Sequence, residues 1–272
     1  MISFRQLFGE LFKNKSKKLL QVIAIQLVAA VILAGVMTFK AIALPGNPYM
    51  NMIRSFLLNL ARVVAWTGFI AVLGSLFTTI SDVEKINHSQ TWRLVPATEN
   101  TIYLSNIISS LVSFVILVLL EFLCGIGPML LHYSISGQWS MVMDFFNDMA
   151  KIGWFKWCQI VVVLLLITLA VYLTVSFLNF SSQTIVDFLP NFSGKLGLKV
   201  TRFIIFLLVY WLSVGAANIV LPILKLPFQL MFLGAARLQL LGGITALVIF
   251  NLFVGAIDLF LINKTFEAKA NK

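Results

Sequence analysis

Three acidic side chains lie inside or beside apolar stretches of this chain, where a carboxylate could carry a proton or line a path for a charged substrate: Glu121, Asp187 and Asp258. Glu121 lies about fifteen residues into an apolar run, roughly 22 Å along a helix, so it must face protein or a water-filled cavity. Asp258 lies near the end of the last apolar run, and Asp187 lies in a loop. A single carboxylate makes no proton relay. Glu121 is therefore either part of a translocation path or a packing residue.

No other pattern of residues predicts catalysis. The segment Ser193-Gly194-Lys195 lacks both the upstream glycine of a phosphate-binding loop and the Ser or Thr that follows its lysine. The two cysteines, Cys124 and Cys158, are too few for a thiolate metal site and leave open a disulfide or two free thiols. His88 and His132 fall on opposite sides of the predicted topology. We therefore expect no enzymatic activity, no cofactor and no metal ion.

The composition is that of a protein solvated by lipid. Apolar residues make up 60% of the 272 residues and charged residues only 11%, against roughly a quarter in soluble domains. The formal net charge of +10 would suggest nucleic acid in a soluble protein. Here the basic residues flank apolar runs, where they anchor helix ends at anionic headgroups. The predicted environment is the lipid bilayer, and no nucleic-acid partner is expected.

The hydropathy pattern predicts an all-α, polytopic integral membrane protein with about six transmembrane helices. Residues 1–18 place phenylalanine and leucine at helical spacing among basic residues, which predicts an interfacial amphipathic helix. A six-helix transmembrane domain follows over 19–262, and 263–272 form a polar tail. Pro222 to Gln239 is too short to cross twice and too apolar for a free loop, so we expect a re-entrant segment. The predicted spans are about 19–39, 57–77, 106–129, 154–177, 203–220 and 240–262.

The basic residues predict the orientation. Thirteen of the 20 Lys and Arg residues fall on the N-terminal side of this topology and seven on the other. By the positive-inside rule, both termini and the tail 263–272 are cytoplasmic, as six spans require. The expected location is the cell membrane.

Residues 81–105, between the second and third predicted spans, form a cytoplasmic segment of unusual composition. A charged turn that includes Glu84 and Lys85 precedes Trp92 and Arg93, and Pro96 then breaks the chain. Free loops seldom carry a Trp beside an Arg, whereas protein interfaces are rich in both. The segment predicts a short helix at the membrane surface that docks on another protein through Glu84, Lys85, Trp92 and Arg93.

The motif Ser89-Gln90-Thr91-Trp92-Arg93-Leu94-Val95-Pro96, followed by Tyr103-Leu104-Ser105-Asn106, resembles the permease subunits of type-2 ATP-binding-cassette exporters of Gram-positive bacteria. The likeness extends over nearly the whole chain, including the re-entrant stretch before the last span. It implies an exporter permease, a separate ATP-binding subunit docked on residues 81–105, and a second permease subunit that is identical or paralogous. In that setting Glu121 is a candidate for the translocation path. The resemblance does not carry over a substrate.

Two other functions fit the same pattern. A non-transporting membrane scaffold, a sensor or a lipid-handling protein would also be basic, polytopic and without catalytic motifs. A secondary transporter would be expected to carry ionisable pairs at the membrane midplane and a repeat of broken helices, and only Glu121 answers to that description.

Overall fold

The structure, a computed structural model, describes residues 2–43, 52–87, 89–188, 200–201, 203–208, 210–211, 214–215 and 236–270. Over these residues the protein is helical and contains no β-strand. The long helices and the short connecting helices follow in chain order: α1 (Phe4–Ala43), α2 (Met52–Asn87), α3 (Gln90–Arg93), α4 (Glu99–Ile135), α5 (Trp139–Ile152), α6 (Trp154–Phe188) and α7 (Ala236–Ala270).

Five of the described helices are long and apolar enough to cross a bilayer: α1, α2, α4, α6 and α7. Each has 35 to 40 residues. At 1.5 Å per residue that is more than 50 Å, against a hydrocarbon core of about 30 Å, so each helix can extend beyond the lipid. Large apolar side chains remain exposed along them, such as Ile25, Trp66 and Phe77. The fold fits a polytopic α-helical membrane protein.

The helices are longer than the predicted spans within them. The predicted amphipathic helix 1–18 and the first span both lie in the uninterrupted helix α1, and α7 continues through the predicted tail to Ala270. Basic residues such as Lys13 and Lys17 are good helix formers, so the polar ends extend the apolar helices without a break. Nearly half of the predicted fifth span, 203–220, and most of Pro222 to Gln239 lie outside the described residues.

The chain divides into two compact units. The first, here named the α1–α2 unit, comprises Ser3–Ile86 and Ile108–Trp154. Its core joins α1, α2 and most of α4: Leu19 and Ile23 of α1 pack with Leu117 of α4, and Ala30 packs with Val63 and Val64 of α2.

Helix α5 belongs to the same unit and lies in the connection between the third and fourth predicted spans. Val142 is buried, whereas Trp139, Met143 and Phe146 are exposed on the same side of the helix. Asp148 pairs with Lys151 on the polar side, at 2.7 Å. Gly137 and Gly153, both with positive φ, precede and end α5. An exposed apolar face opposite a charged face is the pattern of a helix that lies in the headgroup region.

The second unit, here named the α6–α7 unit, comprises Met1–Ile2, Asn87–Ile107 and Phe155–Lys272. In this unit α6 and α7 run parallel. The Asn251 side chain donates to the Leu166 carbonyl at 3.0 Å, and one turn later Gly255 faces Leu173. Later residues of α7 thus contact later residues of α6, as in a parallel pair. The start of α4 packs at the far end of both helices, where the Tyr103 hydroxyl meets Asp258 and the Tyr103 ring contacts Phe180.

Candidate functional site

The last turns of α2 place Glu84 and Lys85, the first two predicted docking residues. Val83 is buried, whereas the Lys85 side chain is 77% exposed. Asp82 pairs with Lys18 of α1 at 2.8 Å and with Lys85 at 3.9 Å. Because these ion pairs reach solvent, each contributes at most about 1 kcal/mol to stability. The last turns of α2 therefore present charged side chains at the surface.

Helix α3 and the turn after it place the other two predicted docking residues. The amides of Leu94 and Val95 donate to the carbonyls of Thr91 and Trp92, closing a tight turn. Trp92 is half-buried, and only the backbone of Arg93 is described. The Leu94 side chain is 84% exposed at the tip of the turn.

A backbone hydrogen bond, in which the Ile2 amide donates to the Pro96 carbonyl at 3.0 Å, connects the turn to the N-terminal segment. Leu94 is not among the predicted docking residues, although two apolar residues, Leu94 and Val95, lie directly before Pro96 and were a usable signal. Tryptophan is enriched among the residues that anchor protein interfaces, and the exposed Leu94 adds apolar surface near the half-buried Trp92. The turn therefore offers a contact surface.

Glu121 lies in the α1–α2 unit at a point where three helices meet. Its side chain is 8% exposed, and Gln26 of α1 is 7% exposed. Gly68 of α2 leaves the room for them, because a Cβ atom at residue 68 would lie 2.8 Å from Glu121 Oε2 and 3.5 Å from Gln26 Nε2. The carboxyl group therefore packs against the bare backbone of α2.

The hydrogen bonds around Glu121 are incomplete within the described part of the chain. Gln26 Nε2 donates to Thr67 Oγ1 at 3.2 Å, and the Thr67 hydroxyl donates to the Val63 carbonyl. Although the Gln26 amide lies beside the carboxyl group, neither Glu121 oxygen makes a well-formed hydrogen bond, and Gln26 Oε1 also lacks one. Glu121, Gln26 and Thr67 thus form a small polar site between apolar helices. A hydrogen-bond donor or a cation could bind the Glu121 oxygens there.

The structure contains two further polar clusters that were not predicted from the sequence. In the α1–α2 unit, buried Lys15 donates to Ser109 at 2.9 Å and to Ser110 at 2.7 Å, and Ser16 bonds Ser113. The spacing of the serines in α4 was a usable signal, since residues three and four apart share a helix face. In the α6–α7 unit, buried Tyr103 donates to fully buried Asp258 at 2.6 Å.

Asn106 of α4 extends the polar contacts of the α6–α7 unit. Its amide donates to Asn87 Oδ1 at 2.8 Å, and the Asn87 amide donates to Ser176 of α6 at 3.5 Å. These bonds bring the end of α2, the start of α4 and the second half of α6 to one end of this unit.

No protein-family model, curated protein or solved structure matches this chain.

Among the described residues, no three His, Cys, Asp or Glu side chains gather as a metal site would require. Cys124 and Cys158 are both free thiols. The best-formed candidate sites are thus the exposed turn after α3 and the buried polar cluster at Glu121.

Proposed function

We propose that the chain is the transmembrane permease subunit of an ATP-binding-cassette exporter, driven by a separate ATPase subunit. The observation that carries the proposal is the turn after α3. It follows one membrane-length helix and precedes another, and it presents Leu94 beside Trp92. A short element so placed can transmit the closure of a docked ATPase to the helices on either side of it. The likeness of Ser89 to Pro96 to the coupling segments of type-2 exporters supports the same function.

In this mechanism the ATPase docks on residues 81–105. The predicted docking residues there are Glu84, Lys85, Trp92 and Arg93, and the exposed Leu94 is a further one. ATP-driven closure of an ATPase dimer would move the two docked segments of a permease pair, either identical or paralogous chains. The spans would then change access to a cavity between them. Glu121 remains our candidate for the translocation path, because its carboxyl group is buried beside Gln26 and Gly68.

The experiment that tests this function is purification of the tagged chain from its native membrane in mild detergent. We expect a separate subunit with a phosphate-binding loop to co-purify, and the preparation to hydrolyse ATP at a rate that falls when the partner's catalytic residues are inactivated. A purified chain that brings down no ATPase, and that binds none added back, would favour a scaffold, sensor or lipid-handling protein.

We further propose that the protein lies in the cell membrane with six spans and both termini in the cytoplasm. Parallel spanning helices such as α6 and α7 need an odd number of crossings in the chain that joins them, and the predicted span 203–220 supplies one. The bond from Ile2 to Pro96 and the ion pair from Lys18 to Asp82 support a shared side for the N-terminus and residues 81–105.

Cysteine labelling on intact cells checks this topology after Cys124 and Cys158 are replaced. We expect a membrane-impermeant maleimide to label a cysteine introduced at Ser140, on α5, and to leave cysteines at Ser89 and Asn271 unlabelled until the cells are opened. Labelling at Ser89 or Asn271 from outside would overturn the topology. Ser140 serves as the positive control because its side chain is exposed.

A further inference from the structure

A cavity of about 400 Å³ opens between α1 and α2 in the α1–α2 unit. Its polar wall consists of lysines, an aspartate and hydroxyl groups, and its apolar wall continues toward the predicted spans. The residues that line it include Lys15, Lys18, Leu19, Phe77, Asp82 and Lys85. The cavity lies at the boundary between the basic end of α1 and the apolar run that begins at Leu19, which is headgroup depth for a helix that spans a bilayer.

The charges of the cavity favour an anion. Lys18 and Lys85 are 63% and 77% exposed, and both approach Asp82, at 2.8 and 3.9 Å. Two ammonium groups against one carboxylate leave a positive charge uncompensated at the mouth. Deeper in, buried Lys15 donates to Ser109 and Ser110. Burial lowers the pKa of Lys15 to about 7, so near neutral pH this side chain adds only part of a positive charge.

The walls also favour a ligand with an apolar part. Leu19, Val22 and Phe77 line the cavity directly beside the charged groups, and Thr78, Thr79 and Ser81 add hydroxyl groups near the mouth. A free inorganic anion would gain nothing from the apolar side. A phospholipid places a phosphate at headgroup depth and acyl chains along the apolar helix surface, so it satisfies both walls at once.

We propose that this cavity is a binding site for the headgroup of an anionic phospholipid from the leaflet on the side of the N-terminus. Lys18 and Lys85 would pair with the phosphate, and Leu19, Val22 and Phe77 would contact the first part of the acyl chains. The site shares Lys85 with the proposed ATPase-docking segment, but it requires only residues of the α1–α2 unit and a bilayer, so it can be tested on the chain without an ATPase.

The test compares two double variants with the same change in charge. Lys18→Gln with Lys85→Gln removes the lysines at the mouth of the cavity. Lys13→Gln with Lys17→Gln removes two exposed lysines on the same helix that do not line the cavity. The purified chain, without an ATPase, is titrated with short-chain phosphatidylglycerol, short-chain phosphatidylcholine and inorganic phosphate, and binding is read by native mass spectrometry.

We expect the wild-type chain to bind phosphatidylglycerol more tightly than phosphatidylcholine or phosphate. The variant at Lys18 and Lys85 should lose about 30-fold in affinity for phosphatidylglycerol, at about fivefold per lysine. The variant at Lys13 and Lys17 should lose no more than about twofold, since charges in solvent are screened. Both variants should fold, because all four side chains are exposed. Loss of the two solvent-exposed ion pairs to Asp82 should lower the stability of the variant at Lys18 and Lys85 only slightly, because ion pairs in solvent contribute little.

Equal losses in the two variants would mean general surface electrostatics and would overturn the site. Phosphate binding as tight as phosphatidylglycerol binding would show that the apolar wall contributes nothing, and the lipid assignment would then be wrong. Neither result bears on co-purification of an ATPase, so this proposal and the proposed function fail separately.

Discussion

Replacing Trp92 and Arg93 together by alanine is expected to leave the chain in the membrane and to remove its ATPase. Aromatic and Arg side chains at the centre of an interface commonly contribute about 2–4 kcal/mol to binding when truncated, which is roughly 30- to 1,000-fold in affinity. Membrane abundance and ATPase co-purification are measured in the same preparation. The matched control is Thr91→Ala, an exposed position in the same four-residue helix.

Trp92 is half-buried, so its loss could act through the fold of the chain itself. A second variant, Leu94→Asp, separates the two effects because the Leu94 side chain is almost fully exposed and its replacement disturbs little internal packing. We expect Leu94→Asp to keep wild-type abundance and to weaken ATPase binding as strongly as the double variant. Normal abundance with undiminished ATPase binding in both variants would remove residues 81–105 from the docking surface.

The spanning helices were the predictable part of the fold. Runs such as Leu19 to Phe39 have the length and composition that a bilayer requires, and the structure has a helix through each predicted span it describes. The ends of the helices were less predictable, because charged residues end an apolar span but do not end a helix. The packing of the polar ends was also missed. Lys15 lies in the predicted amphipathic helix, yet its side chain is buried against α4.

Helix α5 and Asp258 show what sequence reasoning missed for two different reasons. The apolar face of α5 was present in the sequence, but the polar residues between its members made the stretch resemble a loop. The partner of Asp258 was beyond local patterns altogether, since Tyr103 lies 155 residues away in the chain. Acidic residues within membrane helices commonly pair with another residue, but nothing in the sequence named the partner of Asp258.

Tyr103 and Asp258 carry the second large expected effect, on stability. The hydroxyl of Tyr103 donates to Asp258 Oδ2 at 2.6 Å, the short distance of a strong O–H···O bond, and the Asp258 side chain has no exposed surface. Tyr103→Phe keeps the ring and its contact with Phe180 but removes the donor. An oxygen acceptor left buried without that donor should lower the free energy of unfolding by about 2–3 kcal/mol.

Asp258→Asn provides the matched control, because the tyrosine hydroxyl can still donate to the amide oxygen and no carboxylate is left behind. We expect Asp258→Asn alone to cost less than Tyr103→Phe. In the double variant, the cost should be smaller than the sum of the two single costs, because the residues share one hydrogen bond.

The stability of the wild type and the three variants is measured by unfolding the detergent-solubilised chain with dodecyl sulfate. Strictly additive costs would mean that the bond contributes nothing to holding α4 against α7. A Tyr103→Phe variant as stable as the wild type would show, in addition, that Asp258 is satisfied without it.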